Sequence, residues 1–383
     1  MHKSECLGVG EQRGVRNMIV RVGLAAVAVL VSTMALLSIG NSSAPTANPR
    51  ATWTFTMSPG KEFARHSFVH TPLPADAPID EKSEIWVKEL QRQIKAYYGA
   101  ATVSIDQYSP PIYIVPADQP TVRVAAERPH DPAWRFPPLQ ALWNEVPLPD
   151  NMRAADGTDK EAIIYQPSTG RYWEFWLLEK SGRTAVNSVG RSVPEWRAAW
   201  GGQIANLAEN PGYFPTTAKG YKFGTTATGL VLLGGLMTID EQRRGFIEHA
   251  VHFAIPHARA SVWTHPAQRT DGNDTSELAI PQGATFRLPA DLDLEKLDMD
   301  PYARMVARAV QKYGMVLRDT AGAVTFYAEN PQVQGTGHPY SGRNGILRCE
   351  EVTISWACSP SSRLRGFPWD RLQALRTKIV SDN

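Results

Sequence analysis

The residues best suited to chemistry lie in two stretches. Between residues 224 and 274 the chain reads as a glycine-flanked apolar run, then GFIEHAVHF, then VWTHPAQRTDG, and nowhere else are ionisable and aromatic residues held so regularly. Upstream, RYWEFW sets Glu174 two residues from both Tyr172 and Trp176. On a strand these three side chains share a face. A carboxyl desolvated between two aromatics has its pKa raised, as a general acid requires, and two carboxyls across a cleft are the minimum equipment for glycosidic hydrolysis. Glu174 is therefore the first catalytic candidate, with Glu248, Asp271 or Asp274 as its partner. An ordinary ion pair with Arg171 or Arg197 is the structural alternative for Glu174.

The histidines supply a second theme. In EHAVH, Glu248 and His252 stand four apart, on one face of an expected helix, while His249 turns toward the buried stripe and suits a proton shuttle or general base. A zinc site built from His252, Glu248 and either His257 or His265 lacks the HExxH spacing, so no metal is assigned on that ground. The turn QRTDGNDTSE offers Asp271, Asn273, Asp274 and Glu277 as oxygen ligands for calcium. It departs from the EF-hand pattern, and a polar turn is the simpler reading. Sugar rings would stack on Trp173, Trp176, Trp200 or Trp263, with Tyr172, His265 and Arg269 as further substrate contacts. No GxSxG occurs, and GTGHPYSGRNG lacks the GK[ST] ending of a phosphate loop.

These residues need elements to position them. Alternation predicts a strand over 52–57 and a hairpin made of AIIY, a QPSTG turn and RYWEFWLLE. Asp80 caps an expected helix over 80–98, and Thr238 with Glu241 has the spacing of a capping box, predicting a helix over 239–253. Strands are expected over 258–265 and 283–288. Asp300, Pro301 and Gly314 bracket a helix through YARMVARAVQKY, followed by a hairpin of MVLRD and AVTFYA. Residues 332–345 read as a glycine-rich loop, and an amphipathic helix is expected from Asp370. Strands dominate the middle of the chain, which predicts a mainly β fold, a β-sandwich or jelly roll with peripheral helices, with α+β as the alternative.

Composition bounds the class. Over 383 residues, 43% hydrophobic and 20% charged content is that of a globular protein, and a net charge of +2 without a basic stripe argues against a nucleic-acid partner. Residues 22–39 are apolar, uncharged and preceded by Arg13, Arg16 and Arg21. They read as a signal peptide or a signal anchor, with Met18 as an alternative start, so the remainder is expected outside the cytoplasmic membrane. There Cys349 and Cys358 are expected to form a disulfide. The organisation that follows is a leader at 1–44, a linker and wrapping segment at 45–80, a main domain at 81–331, and a C-terminal segment at 332–383 packed on it.

The order and spacing of WEFW, WGGQI, NPGYFP, LLGGLMTIDE, IEHAVHFAIP, PAQRTDG and AIPQGATFRLP resemble a family of secreted, envelope-associated bacterial proteins. The resemblance implies an exported domain and carries over no reaction. From the residues, two functions stand open. One is a glycoside hydrolase or polysaccharide lyase acting on envelope or extracellular glycan, and the other is a non-catalytic glycan-binding or envelope-structural protein. Both take a glycan or cell-envelope polymer as partner, with the membrane as a further partner if the leader is retained.

Overall fold

The computed structural model describes residues 59–131, 133–333, 338–349 and 359–381. The expected leader, the strand over 52–57 and Cys358 lie outside these residues. Thr54–Asn383 cluster as one compact unit.

Among the described residues the fold is mainly β, with several mixed sheets, few helices and no barrel, in keeping with the expected sandwich and its peripheral helices. A six-stranded sheet runs in the order Thr102–Ser104, Thr325–Tyr327, Val251–Ile255, Met315–Thr320, Thr285–Arg287 and Gln373–Ala374. A four-stranded sheet runs in the order Ile112–Ile114, Ala162–Gln166, Arg171–Trp176 and Trp200–Ile204. Each sheet organises an apolar core, one including Phe253, Phe286 and Phe326, the other Trp143, Trp173 and Phe175. Ala254 and Tyr327 of the larger sheet reach into the second core, so the two are joined by direct packing.

The hairpin containing WEFW forms as its alternation dictates, with Ala162 opposite Phe175 and Gln166 opposite Arg171. Helices Ser83–Ala96 and Pro301–Lys312 also form, the latter with Asp300 accepting from the amide of Tyr302 and Pro301 in the first turn. Both bury an apolar face, which in water contributes more to a short helix than its intrinsic propensity.

Four expected elements differ. The capping box of Thr238 and Glu241 is present, but the helix covers only Ile239–Arg244 and ends at Gly245 in the left-handed region. The glycine stop separates it from the central strand Val251–Ile255, so EHAVH presents no helix face. MVLRD and AVTFYA do not pair with each other. They flank Val251–Ile255, which runs parallel to Met315–Thr320 and antiparallel to Thr325–Tyr327, and this placement satisfies both edges of the central strand. The strand expected over 258–265 shortens to Val262–Thr264. The C-terminal helix is replaced by a single turn at Trp369–Arg371 and by two strands: Gln373–Ala374 joins the edge of the six-stranded sheet, and Ile379–Ser381 pairs with Val262–Thr264 as a separate two-stranded sheet. Among the described residues no helix is long and apolar enough to cross a membrane.

Candidate functional site

A cleft of about 920 Å³ opens where the two sheets meet. The four-stranded sheet and its flanks contribute Asp159, Glu161, Trp176 and Trp200, and the six-stranded sheet contributes Arg318, Asp319 and Tyr327. Exposed Tyr98 and Tyr108 stand at its border, 78% and 44% accessible. Four carboxyls line it: Asp159, Glu161, Asp271 and Asp319.

The position of Arg318 and Asp319 depends on an irregularity. Adjacent strand residues point to opposite faces, so a regular Met315–Thr320 strand would send only one of them to the cleft. Pairing with the central strand shifts between Leu317 opposite Phe253 and Asp319 opposite Ala254, leaving Arg318 as an extra residue. Such a bulge re-aims side chains, and here both neighbours line the cleft. On the other wall, Trp200 is followed by Gly201 at φ +146°, where a Cβ would fall 2.1 Å from the carbonyl oxygen of Glu174. The two strands approach that closely because no side chain intervenes.

The carboxyls are not equivalent. Glu161 is 6% exposed, and burial pushes its pKa up to about 8, against the pull of Arg318 and with the repulsion of Asp159, Asp319 and Glu174. Burial likewise pushes Asp319 up to about 7, opposed by Arg318 and reinforced by Asp271. Asp319 Oδ1 accepts from the amide of Ala227 at 3.2 Å, and Oδ2 lies 3.6 Å from Arg318 Nε. Asp159 accepts from the indole of Trp176 at 3.0 Å. Asp271 accepts from Thr320 Oγ1 at 2.7 Å and from Gln282 Nε2 at 2.5 Å. The arrangement offers a neutral acid beside a carboxyl poised near neutrality, with indole and phenol rings at hand for a ring-shaped ligand.

Of the residues chosen from sequence, Asp271, Trp176, Trp200 and Arg269 line the cleft. Arg269 is not a free substrate contact. Its guanidinium donates to the carbonyls of Ala227, Lys222, Phe223, Gly224 and Thr226, gathering the loop 222–227 that forms part of the wall.

Glu174 is corrected outright. It is fully buried, and its oxygens accept from the Thr225 amide at 2.6 Å, the Leu232 amide at 2.9 Å and Tyr172 Oη at 2.7 Å. Burial raises its pKa, as expected, yet the carboxyl is spent on anchoring the segment 225–232 and does not line the cleft. Tyr172 and Trp173 are buried with it, and Trp173 therefore offers no ring to a sugar.

The histidine theme is also corrected. His249 is wholly buried, with Nδ1 2.7 Å from the Ala250 carbonyl and Nε2 3.2 Å from the equally buried Glu241. Burial disfavours its charged form, but the Glu241 carboxylate prevails, so His249 is shifted up and Glu241 down. The two form a buried pair inside the core, away from the cleft-lining residues. Glu248 sits on the surface, 3.9 Å from Lys61 and 4.0 Å from Arg244. His252, buried and stacked on Phe68, has its pKa driven well down by burial and is neutral. Trp263 is 6% exposed under the Lys222 ammonium, and His265 meets Tyr213 edge-on; neither lines the cleft.

The oxygens of the expected calcium turn do not converge. Asp271 bonds Gln282 and Thr320, Asn273 lies 3.1 Å from His257 Nδ1, and Asp274 accepts from the Ser276 amide. Among the described residues no group of three or more His, Cys, Asp or Glu stands close enough to hold a metal ion. Cys349 is buried, 3.4 Å from Arg363 Nη2, while Cys358 lies outside the described residues.

Sequence reasoning missed Asp159, Glu161, Arg318 and Asp319. A signal was present, since the DKE triplet stands directly before the apolar AIIY, and RD ends the apolar MVL. Charges abutting buried strands must find partners or a solvent-filled cleft. No protein-family model, curated protein or solved structure matches the chain.

Proposed function

We propose that the protein is an exported glycoside hydrolase in which Glu161 is the general acid and Asp319 the base or nucleophile. The observation that carries this reading is a pair of carboxyls in one cleft, Glu161 and Asp319, both pushed up by burial toward neutral pH or above, with Arg318 pulling each back toward its charged form. This is the condition in which one carboxyl can hold a proton while the other is ionised. Glycosidic cleavage needs that division: a proton for the leaving oxygen from one carboxyl, and an ionised carboxylate on the anomeric side. Trp176 and Trp200 supply indole faces for sugar rings, and Asp159 fixes the first indole through its Nε1. Asp271, tied to Thr320 and Gln282, adds negative charge that raises the Asp319 pKa. Export rests on the apolar, arginine-preceded run at residues 22–39.

The test is a panel of envelope and extracellular glycans incubated with purified protein and assayed for new reducing ends. Turnover abolished in Glu161→Gln and Asp319→Asn, with folding preserved, supports the assignment. Binding without turnover across the panel would leave the non-catalytic glycan-binding protein as the better reading.

A further inference from the structure

The cleft has an unmet electrostatic demand at Arg318. This side chain is 1% exposed and lines the cleft from the bulge of its strand. Its Nε and Nη1 have no hydrogen-bond partner among the described residues. Asp319 Oδ2, at 3.6 Å from Nε, is within ion-pair range but beyond a hydrogen bond. Tyr327 covers one face of the guanidinium, its ring centre 3.5 Å from the guanidinium carbon, and interacts with it through its side chain, which leaves Nε and Nη1 as the unspent donors. A guanidinium has five donors and cannot shed its charge, so burying it with donors unspent is costly unless a ligand completes the set.

The other cations of the cleft are differently placed. Arg269 is consumed by five backbone carbonyls, Arg128 lies over Trp134 and Lys222 over Trp263. Glu161, shifted up by burial, does not repel an incoming anion near neutral pH. Asp159 and Asp271 line the same cleft, and their charge opposes a doubly charged group more than a singly charged one.

We infer that Arg318 receives the carboxylate of an acidic sugar, so that the glycan taken by this cleft contains uronate residues. The inference rests on the glycan reading above for the nature of the ligand, and adds its charge and the residue that recognises it.

The test uses matched ligands: oligomers of galacturonate and of glucuronate, the same oligomers with carboxyls reduced to alcohols, and sulfated neutral oligomers. Binding to the full chain is followed by calorimetry. We expect a uronate oligomer to bind roughly a hundredfold more tightly than its reduced counterpart, the loss that follows when a buried charge is left unpaired. Arg318→Gln should abolish the preference and Arg318→Lys should keep part of it. Equal affinity for acidic and reduced oligomers overturns the inference, as does a preference that survives Arg318→Gln or one for sulfated over carboxylated ligands. Should Arg318→Gln fail to fold, the wild-type comparison of acidic with reduced oligomers decides alone. Failure here is separable from failure of the hydrolase reading. Preference without turnover keeps Arg318 and removes the hydrolase, whereas turnover of neutral glycan without preference does the reverse.

Discussion

Two regions of this protein bury ionisable groups, and they do so in opposite ways. Around Glu174 and the His249–Glu241 pair, charges are enclosed with partners of their own: Glu174 accepts three hydrogen bonds, and His249 bonds both a carbonyl and a carboxylate, while Glu241 is held through Oε2 alone and its Oε1 is left without a hydrogen bond. In the cleft, Glu161 is buried with no hydrogen bond among the described residues offsetting its burial, and Arg318 keeps unspent donors. Burial and a shifted pKa are common to both regions, so neither marks a site. What separates Glu174 from Arg318 is whether the protein itself completes the polar set beside a cavity. A completed set holds elements together, while an incomplete one beside a cavity is where a ligand has something to gain.

The comparison breaks most sharply on turnover. Glu161→Gln should lower kcat by about 10²- to 10⁴-fold, the usual contribution of a general acid, while Glu174→Gln leaves the folded fraction active. Loss of activity in proportion to unfolding for both variants would erase the distinction. On stability the order reverses. Glu174→Gln turns an acceptor into a donor facing backbone amides, and should cost about 1 to 3 kcal/mol, read by denaturant titration.

Activity against pH gives a finer view. Glu161 must be protonated and Asp319 ionised, so kcat/KM should rise through about 7 and fall through about 8, a narrow bell. A flat profile across that window would remove the pair from the acid and base roles.

Linkage separates the two regions again. His249 is shifted up, so its contribution is full below the unfolded histidine value and is lost as pH rises through the folded one. Glu241 is shifted down, so its contribution is full above the unfolded carboxyl value and is lost as pH falls through the folded one. The pair therefore stabilises most in mildly acid solution, and Glu241→Gln should lower the melting temperature there most of all. Glu161, shifted up to about 8, acts the other way: stability declines as pH rises from the unfolded value toward 8. Glu161→Gln should then raise the melting temperature by a few degrees at pH 8 and by less at pH 5. The smallest effect belongs to Glu248, whose ion pairs are surface contacts. Glu248→Ala should change stability by less than about 0.5 kcal/mol, and a larger loss would show that its pairing with Lys61 and Arg244 had been undervalued.

Local rules were enough for much of the chain. Alternation set the WEFW hairpin and its facing, the Thr238 capping box fixed a helix start, and Asp300 with Pro301 fixed another. These features depend on residues within one turn or one strand pair, which is why they are legible in order along the chain. The mainly β class followed from the same patterns; Asp271 was found as part of a conspicuous polar turn, and Trp176 and Trp200 as aromatics at strand ends.

The remainder depended on contacts between distant segments. Gly245 ends a helix whose apolar pattern continues, because Val251–Ile255 gains more as the central strand of a six-stranded sheet than as two further helical turns. Register decided that Arg318 and Asp319 would both face the cleft, through an extra residue that no periodicity announces. The position of Glu174, two residues from each of two aromatics, was readable. Whether that face looked onto water or onto the amides of Thr225 and Leu232 was not, because those donors arrive from 51 and 58 residues away.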